Sequence, residues 1–157
     1  MIELSELYDS NYSEWAKKNA ELLKARRFSE LDVTHLIEEL SDMSKSEQNE
    51  LESRLLILIT HLLKWQYQYQ QLAEKWQEFK GDSWRATIVE QRGRIERRLR
   101  ESPGLKSRFS DAIMDVYSDA VNLATKETRL PKSTFPTECP YTIPEILDEN
   151  FYPASKK

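Results

Sequence analysis

Apolar residues recur every three or four positions along most of this chain, a spacing that predicts α-helices. A first helix is expected to span residues 9 or 10 to 26 or 27. A second should follow Asp32, whose carboxylate suits an N-cap. Ser44 and Glu47 have the spacing of a capping box, so a third helix is expected to begin there. The second helix carries one apolar stripe, which consists of Val33, Leu36, Ile37, Leu40 and Met43.

The third predicted helix is the longest, because no proline or glycine interrupts it before Gly81, which suits a C-terminal cap. It would contain about 36 residues and be roughly 54 Å long at ~1.5 Å per residue. After Trp65 its stripe narrows to a seam at 3.5-residue spacing, which is typical of pairing with one other helix. That seam is the predicted interface of a homodimer, and it consists of Trp65, Tyr69, Leu72, Trp76 and Phe79. The alternative is that the fourth helix or the aromatic C-terminal tail of the same chain covers it.

Two further helices and a tail rich in proline follow. The fourth helix should begin at residue 82 or 83, and the fifth at Ser102, where the next residue is proline. Pro131 should end the fifth helix. The segment 131–157 is expected to lie extended over the bundle, since its aromatic and apolar residues are too numerous for a free tail. A capping-box pattern predicts a short helix at about residues 143–150 inside it.

The composition favours a single all-α domain covering residues 1–157, built as a bundle of about five helices. Only three residues are glycine, about 2% against a usual ~7%, which argues against folds rich in tight turns. The net charge of −4 gives no general attraction to nucleic acid or to an anionic membrane. The N-terminus lacks the pattern of a signal peptide, and no stretch is apolar enough to span a membrane. A cytoplasmic location is expected, since the single cysteine, Cys139, excludes an intrachain disulfide.

Candidate chemistry is sparse. His35 and Glu39 share a helix face, and His61 on another helix could join them in a metal site, although no Glu-x-x-His pair supports this. A solvated His35 and a hydrogen-bonded His61 are the favoured alternative. Cys139 is expected to be a packed, half-buried thiol rather than a nucleophile, because its surroundings are acidic. No catalytic motif is present, so neither an enzymatic activity nor a cofactor is predicted.

The fourth predicted helix is rich in arginine and could follow a phosphate backbone. The candidate phosphate contacts are Arg85, Arg94, Arg97 and Arg98. The alternative is an exposed helix paired with acidic neighbours, because residues 1–52 hold 13 acidic and 6 basic residues. Arg92 differs from the others, since it falls inside the apolar stripe of this helix and needs a buried partner. Glu39 is the predicted partner, and the alternative is that the guanidinium extends to solvent.

Several short segments together resemble a known bacterial family. They are LIEEL at 36–40, HLLKWQ at 61–66, EQR at 90–92, FPTECPYT at 135–142 and the ending at 149–153. The combination is similar to the family, found mainly in cyanobacteria, that is catalogued as domain of unknown function twenty-nine. The resemblance implies an all-α fold and brings no activity, cofactor or site residue. Two departures stand out: Ser44 replaces a usual glycine, and residues 67–81 resemble an insertion that prolongs the third helix.

The leading functional hypothesis is therefore a non-enzymatic protein-interaction or assembly module that forms a homodimer through the long helix. The alternative is a nucleic-acid-associated protein that uses the arginine-rich helix around residues 85–108. An enzyme or a metalloprotein ranks third.

Overall fold

The computed structural model describes residues 2–76, 78 and 80–155. Helices occupy most of these residues, and no strand occurs among them. The α-helices are α1 (Leu4–Ser10), α2 (Tyr12–Lys24), α3 (Val33–Lys64), α4 (Gln70–Lys75), α5 (Asp82–Glu101), α6 (Phe109–Thr128) and α7 (Ile143–Leu147). Short 3-10 turns lie at Phe28–Glu30, Pro103–Arg108 and Lys132–Thr134. The prediction of an all-α fold with one long helix is confirmed.

The chain forms two compact units, residues 1–46 and residues 47–157, and α3 contributes to both. We call them the N-terminal unit and the C-terminal unit. The prediction of one domain covering the whole chain stays a prediction.

The N-terminal unit is built on two short helices and the first turns of α3. Asn11 separates α1 from α2, and its side chain accepts a hydrogen bond from the backbone N–H of Glu14, as an N-cap should. Leu7 and Trp15 are buried between these elements. The predicted first helix corresponds to α2, but it begins at Tyr12 rather than at residue 9 or 10 and ends at Lys24 rather than at residue 26 or 27. Helix α1 was missed because its seven residues are too few to display a helical repeat.

Helix α3 does not break at Ser44, so the predicted boundary there is wrong. The carboxylate of Glu47 accepts a hydrogen bond from the Ser102 hydroxyl at 2.8 Å instead of turning back toward Ser44. Without a cap, a glycine or a proline, nothing stops the helix at this point. Helical structure continues beyond α3 through a π-helical turn, Trp65–Tyr69, and then through α4 to Lys75.

Gly81 has a different role from the predicted one. The long helix ends at Lys75, and Gly81 is the residue immediately before α5. It adopts a left-handed conformation with φ of 68°, which suits glycine. A Cβ at this position would lie 2.5 Å from Cε2 of Tyr69, so close packing on Tyr69 also requires glycine here.

The core of the C-terminal unit is contributed by α3, α5, α6 and the tail. Its fully buried side chains include Leu55, Leu58, Leu62, Ile88, Ile95 and Phe109. The proline-rich tail packs on this core: Phe135, Tyr141 and Ile146 are buried, and Phe151 and Tyr152 pack partly against it. Thr142 and Glu145 form the predicted capping box at the start of α7. Apolar burial therefore holds the tail on the bundle, as the sequence predicts.

Candidate interaction surface

An Asp–His pair organises the N-terminal unit. Asp32 caps α3: its carbonyl accepts the first hydrogen bond of the helix, from Leu36 N–H. Its carboxylate lies 2.6 Å from His35 Nδ1 and accepts a hydrogen bond from the indole N–H of Trp15 at 2.9 Å. Buried Asn19 accepts a hydrogen bond from the backbone N–H of Asp32. These contacts fix the start of α3 against α2.

The ionisation of the pair follows from these contacts. Partial burial raises the pKa of Asp32, but the hydrogen bonds from Trp15 and His35 outweigh it, so the net pKa is lowered. The hydrogen bond to the Asp32 carboxylate raises the pKa of His35 above its ordinary value. The ring of His35 also stacks on Tyr8, with centroids 4.1 Å apart. His35 is thus held by a carboxylate and an aromatic ring.

Glu39 is occupied by two tyrosines. Its carboxylate accepts hydrogen bonds from the hydroxyls of Tyr8 at 2.5 Å and Tyr12 at 2.7 Å. These two hydrogen bonds lower the pKa of Glu39. Both oxygens therefore already have donors, which leaves them poorly placed as ligands of a metal ion.

His61 lies in the C-terminal unit, where its Nδ1 is 2.9 Å from the carbonyl oxygen of Ile57 one turn earlier. Burial lowers its pKa, so the neutral imidazole is favoured. Within the described residues, no group of three or more His, Cys, Asp or Glu side chains is arranged to hold a metal ion. His61 matches the hydrogen-bonded alternative. His35 differs from the solvated alternative, because Asp32 and the ring of Tyr8 hold it.

Several arginines of the arginine-rich helix, α5, form ion pairs. Arg94 lies 2.9 Å from Glu90, and Arg97 lies 3.0 Å from Glu101. Arg98 contacts Glu50 of α3 at 3.1 Å, so one of its partners comes from the acidic first third of the chain. Exposed pairs of this kind add little stability, but each carboxylate offsets the charge that a phosphate would need.

Arg85, the fourth candidate for phosphate contact, lies over aromatic rings. Its guanidinium carbon is 5.4 Å from the ring centroid of Trp65 and 5.6 Å from that of Tyr152. Trp65 in turn stacks on Tyr69, with centroids 4.2 Å apart and the planes nearly parallel. Tyr152 of the tail packs against Trp65 at 4.8 Å. This cluster joins the π-helical turn, α5 and the tail.

The predicted dimer seam is therefore partly covered by its own chain. Trp65 is buried, and Tyr69 and Leu72 are half-buried, whereas Trp76 is 59% exposed. Phe79 lies outside the described residues. The tail and the residue before α5 supply the cover, which is the intramolecular alternative considered for this seam. A dimer formed here stays a prediction that rests on the exposed end of the seam.

Arg92 is buried in the stripe of α5, with 5% of its surface exposed. The predicted partner is wrong, because its Nε and Nη2 donate to the carbonyl oxygens of Ile146 at 2.9 Å and Glu145 at 3.2 Å. The C-terminal end of α7 thus takes the place of a carboxylate, as carbonyls at a helix terminus carry partial negative charge. The guanidinium carbon also lies 5.6 Å from the ring centroid of Tyr152. Burial lowers the pKa of Arg92.

Cys139 is half-buried in the tail. It lines a cavity of about 470 Å³ together with Tyr117 and Met114. Burial raises the pKa of its thiol, which opposes formation of the thiolate that a nucleophile needs.

The most distinctive surface lies on the apolar stripe that the sequence predicts for the residues after Asp32. Four large apolar side chains on the first turns of α3 are exposed: Val33 by 53%, Ile37 by 59%, Leu40 by 64% and Met43 by 56%. We call these four residues the α3 face. With Val33 at zero and ~100° per residue, they occupy a sector from about 280° to 40°. A sector of that width is what a helix normally turns toward a packing partner.

The spacing of the core leucines could have revealed this face. Val33 precedes Leu51 by 18 residues, or five turns at about 3.6 residues per turn. The same interval separates Ile37 from Leu55 and Leu40 from Leu58. All three leucines are buried in the C-terminal unit, whereas their counterparts are exposed in the N-terminal unit. The α3 face therefore has the sequence pattern of a core stripe, but no other described part of its unit buries it.

Comparisons with known proteins identify the family of the chain. None of the described helices is long and apolar enough to cross a membrane. No curated protein and no solved structure matches the chain. The model of the family described as domain of unknown function DUF29 matches residues 7–152, which is nearly the whole chain, and the protein belongs to that family.

Proposed function

We propose that this chain is a non-enzymatic protein-interaction module whose docking surface is the α3 face. The observation that carries the proposal is the exposure of four large apolar side chains side by side on one helix. Contiguous apolar patches are rare on soluble monomers and usually mark an interaction site.

The energetic argument supports a stable contact. Full burial of a side chain such as Leu or Ile is worth about 1.5–3 kcal/mol, and each member of the α3 face has more than half of its surface still to bury. The matching partner is an amphipathic helix, because the ridges of one helix pack into the grooves of another. Capping by Asp32 and its contacts with Trp15 hold α3 in place beforehand, which lowers the entropic cost of docking.

The experiment that tests this proposal is photo-crosslinking in the native cells. A photoreactive residue at Ile37 should yield a discrete crosslinked product, identified by mass spectrometry. The matched control carries the same residue at Asn49, which is exposed on α3 but lies about 160° from Val33. Equal crosslinking at the two positions, or none at Ile37, would contradict the proposal.

Nucleic-acid binding through α5 is the weaker alternative, because three of its four candidate arginines are ion-paired. Salt-dependent retention of the protein on a nucleic-acid column, lost in an Arg94→Ala, Arg97→Ala variant, would favour it instead.

A further inference from the structure

We infer that the partner of the α3 face is the same face of a second copy of this chain, in a two-fold dimer. This inference rests on the proposed function, since it names the occupant of the same surface. The sequence also predicts self-association through the long helix, but at the seam after Trp65. The dimer contact inferred here lies instead on the first turns of α3.

The distribution of charge on α3 favours an identical partner. From residue 33 to residue 46, the sector between about 280° and 80° contains only apolar residues and serine. The charged residues of this stretch all lie between about 120° and 240°, on the opposite side. In a two-fold pair, a residue near the axis faces its own copy, so a charge there would face a like charge. The α3 face avoids this cost entirely.

The lack of charge also argues against an unlike partner as the main occupant. A surface that selects a different protein usually carries charges complementary to those of its partner, which steer the encounter and exclude others. The α3 face carries none, whereas the N-terminal unit as a whole has ten acidic and six basic residues. Homodimer interfaces are the class that is more apolar than the rest of the surface.

Small residues beside the face permit close approach of two helices. Ser44 lies at about 20° and Ser41 at about 80°, next to Leu40 and Ile37. Both serines are exposed. Leu40 of one copy can therefore pack into the space above the serines of the other, in the manner of ridges into grooves.

The test is molar mass in solution by light scattering at micromolar concentration. The wild type should have twice the 18.6 kDa mass of one chain. Leu40→Glu should raise the dissociation constant by at least about 100-fold, because each chain would then bury an unpaired carboxylate in the contact. Asn49→Glu adds the same charge on another side of α3 and should leave the dimer intact. Leu40 is largely exposed within one chain, so each variant should keep its helical circular-dichroism spectrum.

A second variant separates the two candidate interfaces of the long helix. Leu72→Glu, Trp76→Glu disrupts the exposed end of the seam and should leave the dimer intact. A monomeric wild type, or a dimer that this variant dissociates while Leu40→Glu does not, would overturn the inference.

The proposed function and this inference can fail separately. If the wild type is monomeric but Ile37 crosslinks to a different protein in native cells, the inference is wrong and the interaction module stands. If the wild type is monomeric and Ile37 yields no crosslink, both are wrong.

Discussion

Replacement of Arg92 tests how the tail is held on the C-terminal unit. Arg92→Ala removes two hydrogen bonds from a charged donor, at about 1.5–3 kcal/mol each. It also removes the contact with the ring of Tyr152, at about 0.5–2 kcal/mol. Part of this loss is offset, because Nη1 is buried without an acceptor and such a group costs about 1–3 kcal/mol. The expected net loss in the free energy of unfolding is about 3 kcal/mol.

Urea denaturation followed by tryptophan fluorescence measures this loss, since Trp65 packs beside Tyr152. Arg92→Met keeps much of the packing but donates no hydrogen bond, so it should still lose about 2 kcal/mol by leaving carbonyls unpaired. Arg94→Ala is the matched control, because it removes an exposed pair within α5 worth about 0.5 kcal/mol. An Arg92→Met protein as stable as the wild type would refute the role assigned to the two carbonyls.

Three further predictions concern other parts of the chain. In a proton NMR titration, His35 should titrate above its ordinary pKa of about 6.5 and His61 below it. The contribution of His35 to stability is therefore complete below about pH 6.5 and is lost as the pH rises through the raised pKa. In thermal melts at a series of pH values, the His35→Gln protein should not show this decrease in stability. Gly81→Ala should lower the free energy of unfolding by about 1–3 kcal/mol in urea, because the new methyl group would clash with Tyr69. Tyr141→Phe should lower it by about 1 kcal/mol in the same assay, since the Tyr141 hydroxyl donates to Gln66 at 2.8 Å.

Local signals in the sequence were reliable where a short-range contact determines the structure. Asp32 caps α3 and Thr142 caps α7 as predicted, because each side chain accepts a hydrogen bond from the backbone N–H three residues further on. The periodicity of α5 correctly placed Arg92 inside the buried stripe. The apolar residues of the tail correctly indicated that it packs on the bundle.

The errors arose where a contact distant in sequence decides the outcome. Ser44 and Glu47 have the spacing of a cap, but Ser102, 55 residues further on, takes the Glu47 carboxylate. Arg92 donates to backbone carbonyls at the end of α7. Every residue has such a carbonyl, so the sequence cannot identify these two as the partners. Gly81 was ambiguous for a similar reason. A left-handed glycine can either follow one helix or precede the next, and the sequence does not say which.

The candidate site was visible as a pattern but not as a surface. The periodicity correctly grouped the residues of the α3 face, yet a stripe of this width is equally typical of a buried core. Only the fold shows that α1 and α2 contact the opposite flank of α3, through Glu39 and His35, and leave four of the five stripe residues exposed. The sequence therefore predicted which residues share the stripe, but not that four of them are exposed.

Oxidation of methionine tests the central claim, that the α3 face is occupied by a protein partner. Met43 on that face is 56% exposed in a single chain, and Met114 on α6 is 74% exposed, so Met114 serves as an internal reference. Oxidation of a thioether follows its exposure, and mass spectrometry can compare the two residues in one sample. Treatment of native cell extract with peroxide should oxidise Met114 readily and leave Met43 protected, with Leu40→Glu restoring its oxidation. Equal oxidation of Met43 and Met114 in the wild-type extract would contradict the account.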